Sequence, residues 1–133
     1  MGNITKKQLL KSQQGEIDAV LVYQKLADRV AKNHPAIHET LMKIGSDEGR
    51  HANMLRKITG ETLKPKATLS NIVYCLTYLI GKKRTLQFLA KTEHKALETY
   101  KPFAAEYPEL ETMRLDEGRH GDLLDGIVKE LFS

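Results

Sequence analysis

The sequence predicts an all-α protein: four long helices in two helical hairpins, with a long crossover between the hairpins that carries a short helix of its own. Three observations support this. Apolar residues recur at helical spacing over most of the 133 residues. A proline-containing break divides each half, at Pro35 and at Pro108. The second half also repeats the first, with DEGRH at 47–51 and again at 116–120. Strand-like alternation is absent.

The first helix is expected from Thr5 to about Lys32, with Leu9, Leu10, Ile17, Val20, Leu21, Leu26, Ala27 and Val30 inward. Asn33-His34-Pro35 breaks it, and a proline is well placed in the first turn of the next helix. The second helix runs from about Ala36 to Ile58, with Ile37, Leu41, Ile44, Met54 and Leu55 inside, and Thr59-Gly60 closes it. A linker follows over 61–68. A short apolar helix begins near Ser70-Asn71 and reaches about Ile80, and Gly81 marks a bend. The third long helix spans about Lys82 to Glu106, Tyr107-Pro108 breaks it, and the fourth runs from Pro108 to about Leu131. Two hairpins and one long crossover give the connectivity of a ferritin-like four-helix bundle, here as a single domain over residues 1–133.

The repeat extends beyond the pentapeptide. Glu16-x-x-Ala19-x-x-x-Tyr23 in the first helix returns 77 residues later as Glu93-x-x-Ala96-x-x-x-Tyr100 in the third. DEGRH returns after 69 residues, followed by Met54-Leu55 in one half and Leu123-Leu124 in the other. Glu48 and His51, like Glu117 and His120, are three residues apart and so project from one helix face. Paired about a two-fold axis, the halves offer one Glu from each of two helices and one Glu-x-x-His from each of the other two. This is the donor set of dinuclear carboxylate bundles.

Metal explains these residue types. Four ionised carboxylates inside an apolar core would be prohibitively costly alone, whereas two divalent cations balance their charge. Two of the Glu can bridge the ions, and each His gives a neutral nitrogen. A mixed oxygen and nitrogen set suits Fe(II), Mn(II) or Zn(II). The expected ligands are therefore Glu16, Glu48, His51, Glu93, Glu117 and His120. Asp47 and Asp116 are expected to hold the histidine N–H, each across the two-fold to the opposite ring. Tyr23 and Tyr100 either hydrogen-bond to ligand carboxylates or belong to the core. Gly49 and Gly118 recur inside helices at a cost of roughly 1 kcal/mol each, which points to a packing or access role. His34, His38 and His94 are expected off the site, Arg50 and Arg119 to point outward or pair with acidic neighbours.

Composition narrows the alternatives. A formal charge of +4, from 21 basic and 17 acidic residues in scattered short runs, argues against nucleic-acid binding. The lone Cys75 forms neither a disulfide within the chain nor a cysteine metal cluster, and reads as a small buried hydrophobe. The start MGNITKKQLL has no leader-like apolar core, and Lys6 stands where a myristoylation signal has Ser or Thr. The apolar stretch 69–80 is too short to span a bilayer. A cytoplasmic protein without a membrane partner is the expectation.

The motifs GEIDAVLVY, SDEGRHANML, TEHKALETY and LDEGRHGDLL, with the crossover LSNIVYCLTYLIGKKRTLQFLAKTEHKA, resemble the rubrerythrin-type branch of the ferritin-like superfamily over about residues 5–131. The resemblance implies that Glu16 and His51 bind one iron, Glu93 and His120 the other, and that Glu48 and Glu117 bridge them in an Fe–O–Fe type centre, with manganese or zinc as alternatives. It implies an oxidoreductase acting on hydrogen peroxide or O2, of peroxide-reductase or ferroxidase type. Full-length rubrerythrins also carry a four-cysteine rubredoxin domain. This chain has none, so electrons would come from a separate donor such as a rubredoxin. Ala96 stands where the family has an extra Glu, leaving a six-ligand set. An iron-handling module without turnover and a metal-free or zinc-filled dimerisation unit are the alternatives. A homodimer is expected.

Overall fold

The computed structural model describes residues 3–133, so the Met-Gly start lies outside the described residues. These form six α-helices and no strand: α1 Lys6–Ala31, α2 Pro35–Thr59, α3 Ala67–Leu79, α4 Lys82–Thr99, α5 Lys101–Glu106 and α6 Glu111–Phe132, with a 3-10 turn at Pro108–Leu110. The order is hairpin, crossover with a short helix, hairpin, as in a ferritin-like four-helix bundle. The chain divides into two compact units. One is Thr5–Leu76, and the other is Thr77–Ser133 with the first described residues.

In the first unit, Thr5 caps α1 through a reciprocal pair. Its hydroxyl accepts from the Gln8 N–H at 3.1 Å, and the Gln8 side chain accepts from the Thr5 N–H at 2.8 Å. This satisfies two amide donors that a helix start otherwise leaves open. Pro35 opens α2 after a short turn, and α1 packs along α2. The shared core is Leu9, Val22, Tyr23, Leu26, Ala27 and Val30 from α1, against Ile37, Leu41, Ile44 and Leu55 from α2. Leu10, Ile17, Val20 and Leu21 are only half-buried, because the inward face turns toward Val22 and Tyr23. Gly60 ends α2 with φ +72°, and its N–H bonds to the Arg56 carbonyl at 2.8 Å, the left-handed cap that glycine adopts without penalty.

The linker after Gly60 is stitched to α1 by polar side chains. Gln13 donates to the Glu61 carbonyl at 2.8 Å and accepts from the Thr59 hydroxyl at 2.7 Å. Gln14 donates to the Lys64 carbonyl at 2.9 Å, and Asp18 accepts from the Lys66 N–H at 2.7 Å. Gln13 and Asp18 are buried for this reason: linker backbone groups need partners.

The crossover helix is more exposed than its composition suggests. On α3 only Ser70, Val73 and Thr77 are buried, a single stripe at helical spacing. Leu69, Ile72, Tyr74, Tyr78 and Leu79 are exposed, and so is Cys75, which corrects the expectation of a buried thiol.

In the second unit α4 packs along α6. The expected long third helix is in fact two. Tyr100 sits at φ −89°, ψ 0°, and α5 starts afresh at Lys101. Pro102 causes the break, since it has no N–H for the Glu98 carbonyl and its ring crowds that oxygen. Leu86, Leu89, Ala90, Phe103, Leu110, Met113, Leu124 and Ile127 form this core, and Tyr100 packs edge-on against Phe103. Leu97 approaches α6 so closely that a Cβ at Gly118 would lie 2.7 Å from its Cδ1. Helix packing thus explains Gly118. At Gly49 a Cβ would make only ordinary contact with Val20.

Candidate metal centre

Each hairpin gathers a buried set of two carboxylates and one imidazole. In the first, Glu16 comes from α1 and Glu48 and His51 from α2. Their side chains are at most 7 % exposed, and His51 is fully enclosed. His51 Nδ1 lies 2.9 Å from Glu16 Oε1 and 3.2 Å from Glu48 Oε1. In the second, Glu93 comes from α4 and Glu117 and His120 from α6, all buried. His120 Nδ1 lies 3.4 Å from Glu117 Oε1. Within each triplet the donor atoms lie within 4.8 Å of one another.

This convergence follows from the local sequence. Glu48-x-x-His51 and Glu117-x-x-His120 put each pair on one helix face, one turn apart. The antiparallel partner helix supplies the third donor. Both histidines turn the same ring atom, Nδ1, toward the glutamate one turn earlier.

The pentapeptide has a second face. Arg50 Nη1 donates to Asp47 Oδ1 at 3.0 Å, and Arg119 Nη2 donates to Asp116 Oδ1 at 2.7 Å. Asp and Arg pair along the helix in both copies, while Glu and His point inward. The arginines therefore do pair with acidic neighbours, as expected. Asp47 is buried and Asp116 half-buried. Tyr23 and Tyr100 are both buried, Tyr23 within α1 and Tyr100 at the break after α4.

The donor set fits a divalent cation. In the first hairpin two carboxylates approach one imidazole nitrogen, so even a charged His51 cannot neutralise both. The 2.9 Å contact of His51 with Glu16 is a hydrogen bond, and atoms about 3 Å apart are also spaced like neighbours in an octahedral shell with bonds of roughly 2.0–2.1 Å. Burial strips water from all three groups and makes an ion-free, fully ionised state unfavourable.

The remaining histidines all lie off the two buried triplets, as expected. His34 is exposed, and His38 Nε2 lies 2.9 Å from Asp28 Oδ1 on the surface. His94, however, joins Asp122 and Asp125 in a separate cluster. Its sequence signal was present but hidden, because no second histidine accompanies it. Among the described residues no helix is long and apolar enough to cross a membrane.

Comparison with known proteins follows from this geometry. A model of the rubrerythrin family matches residues 7–128. Curated relatives include magnesium-protoporphyrin IX monomethyl ester oxidative cyclases. The protein from Synechococcus sp. (strain RCC307) is 25% identical over 131 residues, covering 86% of this chain and 35% of the relative. That of Porphyra purpurea is 27% identical, covering 91% and 38%, and the chloroplastic protein of Hordeum vulgare is 27% identical, covering 91% and 32%. The chain spans about a third of the length of these relatives. No solved structure matches at a significant level.

Proposed function

The chain belongs to the rubrerythrin family, and on that premise we propose that it is a di-iron carboxylate oxidoreductase that reduces hydrogen peroxide or O2 with electrons from an external donor protein. The observation that supports this best is the duplicated buried triplet: Glu16, Glu48 and His51 in one hairpin, Glu93, Glu117 and His120 in the other. The names of the curated relatives, oxidative cyclases, agree with oxidative chemistry in general and do not single out peroxide.

In this reading Glu16, Glu48 and His51 would hold iron in the first hairpin, and Glu93, Glu117 and His120 would hold it in the second. Bound iron would supply two-electron redox chemistry that no side chain here can provide. The chain's own part is to hold it. His51 and His120 would each offer an imidazole nitrogen to bound iron, and the carboxylates would balance the ionic charge. Tyr23, Leu41 and Leu55 in one hairpin, and Leu86 and Leu124 in the other, are buried in the core. In this reading Asp47 and Asp116 would accept the histidine N–H groups, while Arg50 and Arg119 hold the two carboxylates in place. The reading includes a homodimer.

The test is anaerobic reconstitution with Fe(II), an iron count per chain, then repeated additions of hydrogen peroxide with reduced rubredoxin as donor. Two irons and many peroxides reduced per chain are expected. A single oxidation followed by iron release would instead make the protein an iron-handling module. Failure to bind iron stoichiometrically would refute both.

A further inference from the structure

His94 directly follows Glu93 on α4, yet it belongs to a different cluster. Its Nε2 lies 2.9 Å from Asp125 Oδ2 and 3.7 Å from Asp122 Oδ1, both on α6. The three donor atoms lie within 4.8 Å of one another, on a partly exposed face of the second hairpin. The geometry points to a mononuclear site for a divalent transition cation, with His94, Asp122 and Asp125 as its ligands.

Three features distinguish this cluster from an exposed ion pair, which contributes little and needs no supporting architecture. First, the imidazole is cradled. A Cβ at position 121 would lie 2.7 Å from three atoms of the His94 ring, so any residue other than glycine would require the ring to shift from its place against α6. That glycine stands inside a helix, at a cost of roughly 1 kcal/mol relative to alanine. Second, two carboxylates face one ring nitrogen, one helical turn apart on α6, an excess of acceptors over the single proton that nitrogen can offer. Third, the internal repeat supplies a control. Applying the offsets of the repeat, His94, Gly121, Asp122 and Asp125 correspond to Ile17, Ala52, Asn53 and Arg56 in the first hairpin. There the apolar Ile17 replaces the imidazole and the guanidinium of Arg56 occupies the carboxylate position, bonded to Asn53 Oδ1. All four positions differ in the sense that a cation requires.

The chemistry selects the ion. One imidazole nitrogen and two carboxylates match the ligand types of zinc, with bonds of roughly 2.0–2.2 Å and water completing the shell. Calcium or magnesium would seek more oxygens than are present. Ligand atoms in such a shell lie roughly 3.3–3.5 Å apart, between the 2.9 and 3.7 Å that separate His94 Nε2 from the two aspartates. The site is independent of the buried triplets. Occupancy would tie α4 to α6 one residue from Glu93.

The test is a Zn(II) titration of the 15N-labelled chain, read at the ring nitrogens of each histidine. His94 is expected to show a saturable shift at Nε2, separate from any change at His51 and His120, which report on the buried groups. Asp122→Asn with Asp125→Asn should weaken the His94 response by roughly tenfold or more, and Gly121→Ala should do the same by displacing the ring. These positions are partly exposed or add one methyl, and far-ultraviolet circular dichroism verifies the fold of each variant. An unshifted His94 at millimolar zinc, or the same apparent affinity in the double aspartate variant, would overturn the site whatever the buried histidines do.

Discussion

Replacing Glu48 with alanine should abolish most of the stabilisation that metal gives the fold. The structure supplies three donors in the first hairpin, and Glu48 lies 3.2 Å from the imidazole it shares the site with. Loss of a group that merely orients a ligand weakens metal binding by roughly 10–100-fold, so loss of a ligand should cost at least about 100-fold. At free Mn(II) about 100 times the wild-type Kd, binding stabilises the native chain by roughly 2.7 kcal/mol, and the variant by only about 0.4 kcal/mol. At about 2.1 cal/mol/K per residue, 133 residues give an unfolding entropy of about 0.28 kcal/mol/K. The metal-induced rise in Tm is then about 10 °C for the wild type and about 1–2 °C for the variant. Thermal melts with and without Mn(II), together with metal counts by elemental analysis, measure both quantities, and Glu130→Ala on the surface is the control. If Glu48→Ala kept the full metal-dependent rise, Glu48 would not be a ligand and the donor assignment would fail.

Other expectations concern the scaffold. Leu124→Ala, at a fully buried position of α6, should cost about 2–5 kcal/mol in urea unfolding, and a cost below 1 kcal/mol (roughly an exposed site) would contradict the packing. Gly60→Ala forces a side chain into the left-handed region at φ +72° and should destabilise by about 1–2 kcal/mol, read from the same unfolding midpoints. The Arg114 side-chain hydrogen bond, assisted by its charge, holds the Glu111 carboxyl below the usual carboxylate range. A carboxyl lowered in the folded state stabilises above its unfolded value, and that contribution disappears as pH falls through the folded one. In Arg114→Gln the Glu111 titration followed by NMR should therefore move upward, toward an ordinary carboxylate. An unmoved titration would mean that the pair does not form in solution.

Several elements were legible in the sequence because their signals are periodic. The four long segments, the turns at Pro35 and Pro108, and the twofold repetition all rest on spacing, which survives any detail of packing. The break at Tyr100 was missed because the apolar pattern continues through Pro102, although the ring chemistry that stops the helix depends on one residue alone. Gln13 and Asp18 were missed for a different reason. They are buried to serve the carbonyl and amide groups of the 61–66 linker, partners about fifty residues away that no helical period reveals. The exposure of Cys75 was also hidden, since an apolar neighbourhood in sequence does not say which side of α3 is covered. The convergence of Glu, Glu and His within each hairpin follows from the spacing. The cradle at Gly121 does not, because it appears only once α4 and α6 are side by side.

The hairpin construction also bears on how the protein reaches its native state. Each donor triplet is drawn from two helices that are neighbours in sequence, separated in the first hairpin by a turn of a few residues. Closing a short loop costs little chain entropy, and folds dominated by such local contacts form quickly. Glu16 can therefore meet Glu48 and His51 as soon as α1 collapses onto α2, and Glu93 can meet Glu117 and His120 in a second event of the same kind. Local pairing of this kind is expected to bring the acidic clusters together in two separate local steps. Charge repulsion within each cluster then makes an early-arriving cation a participant in folding.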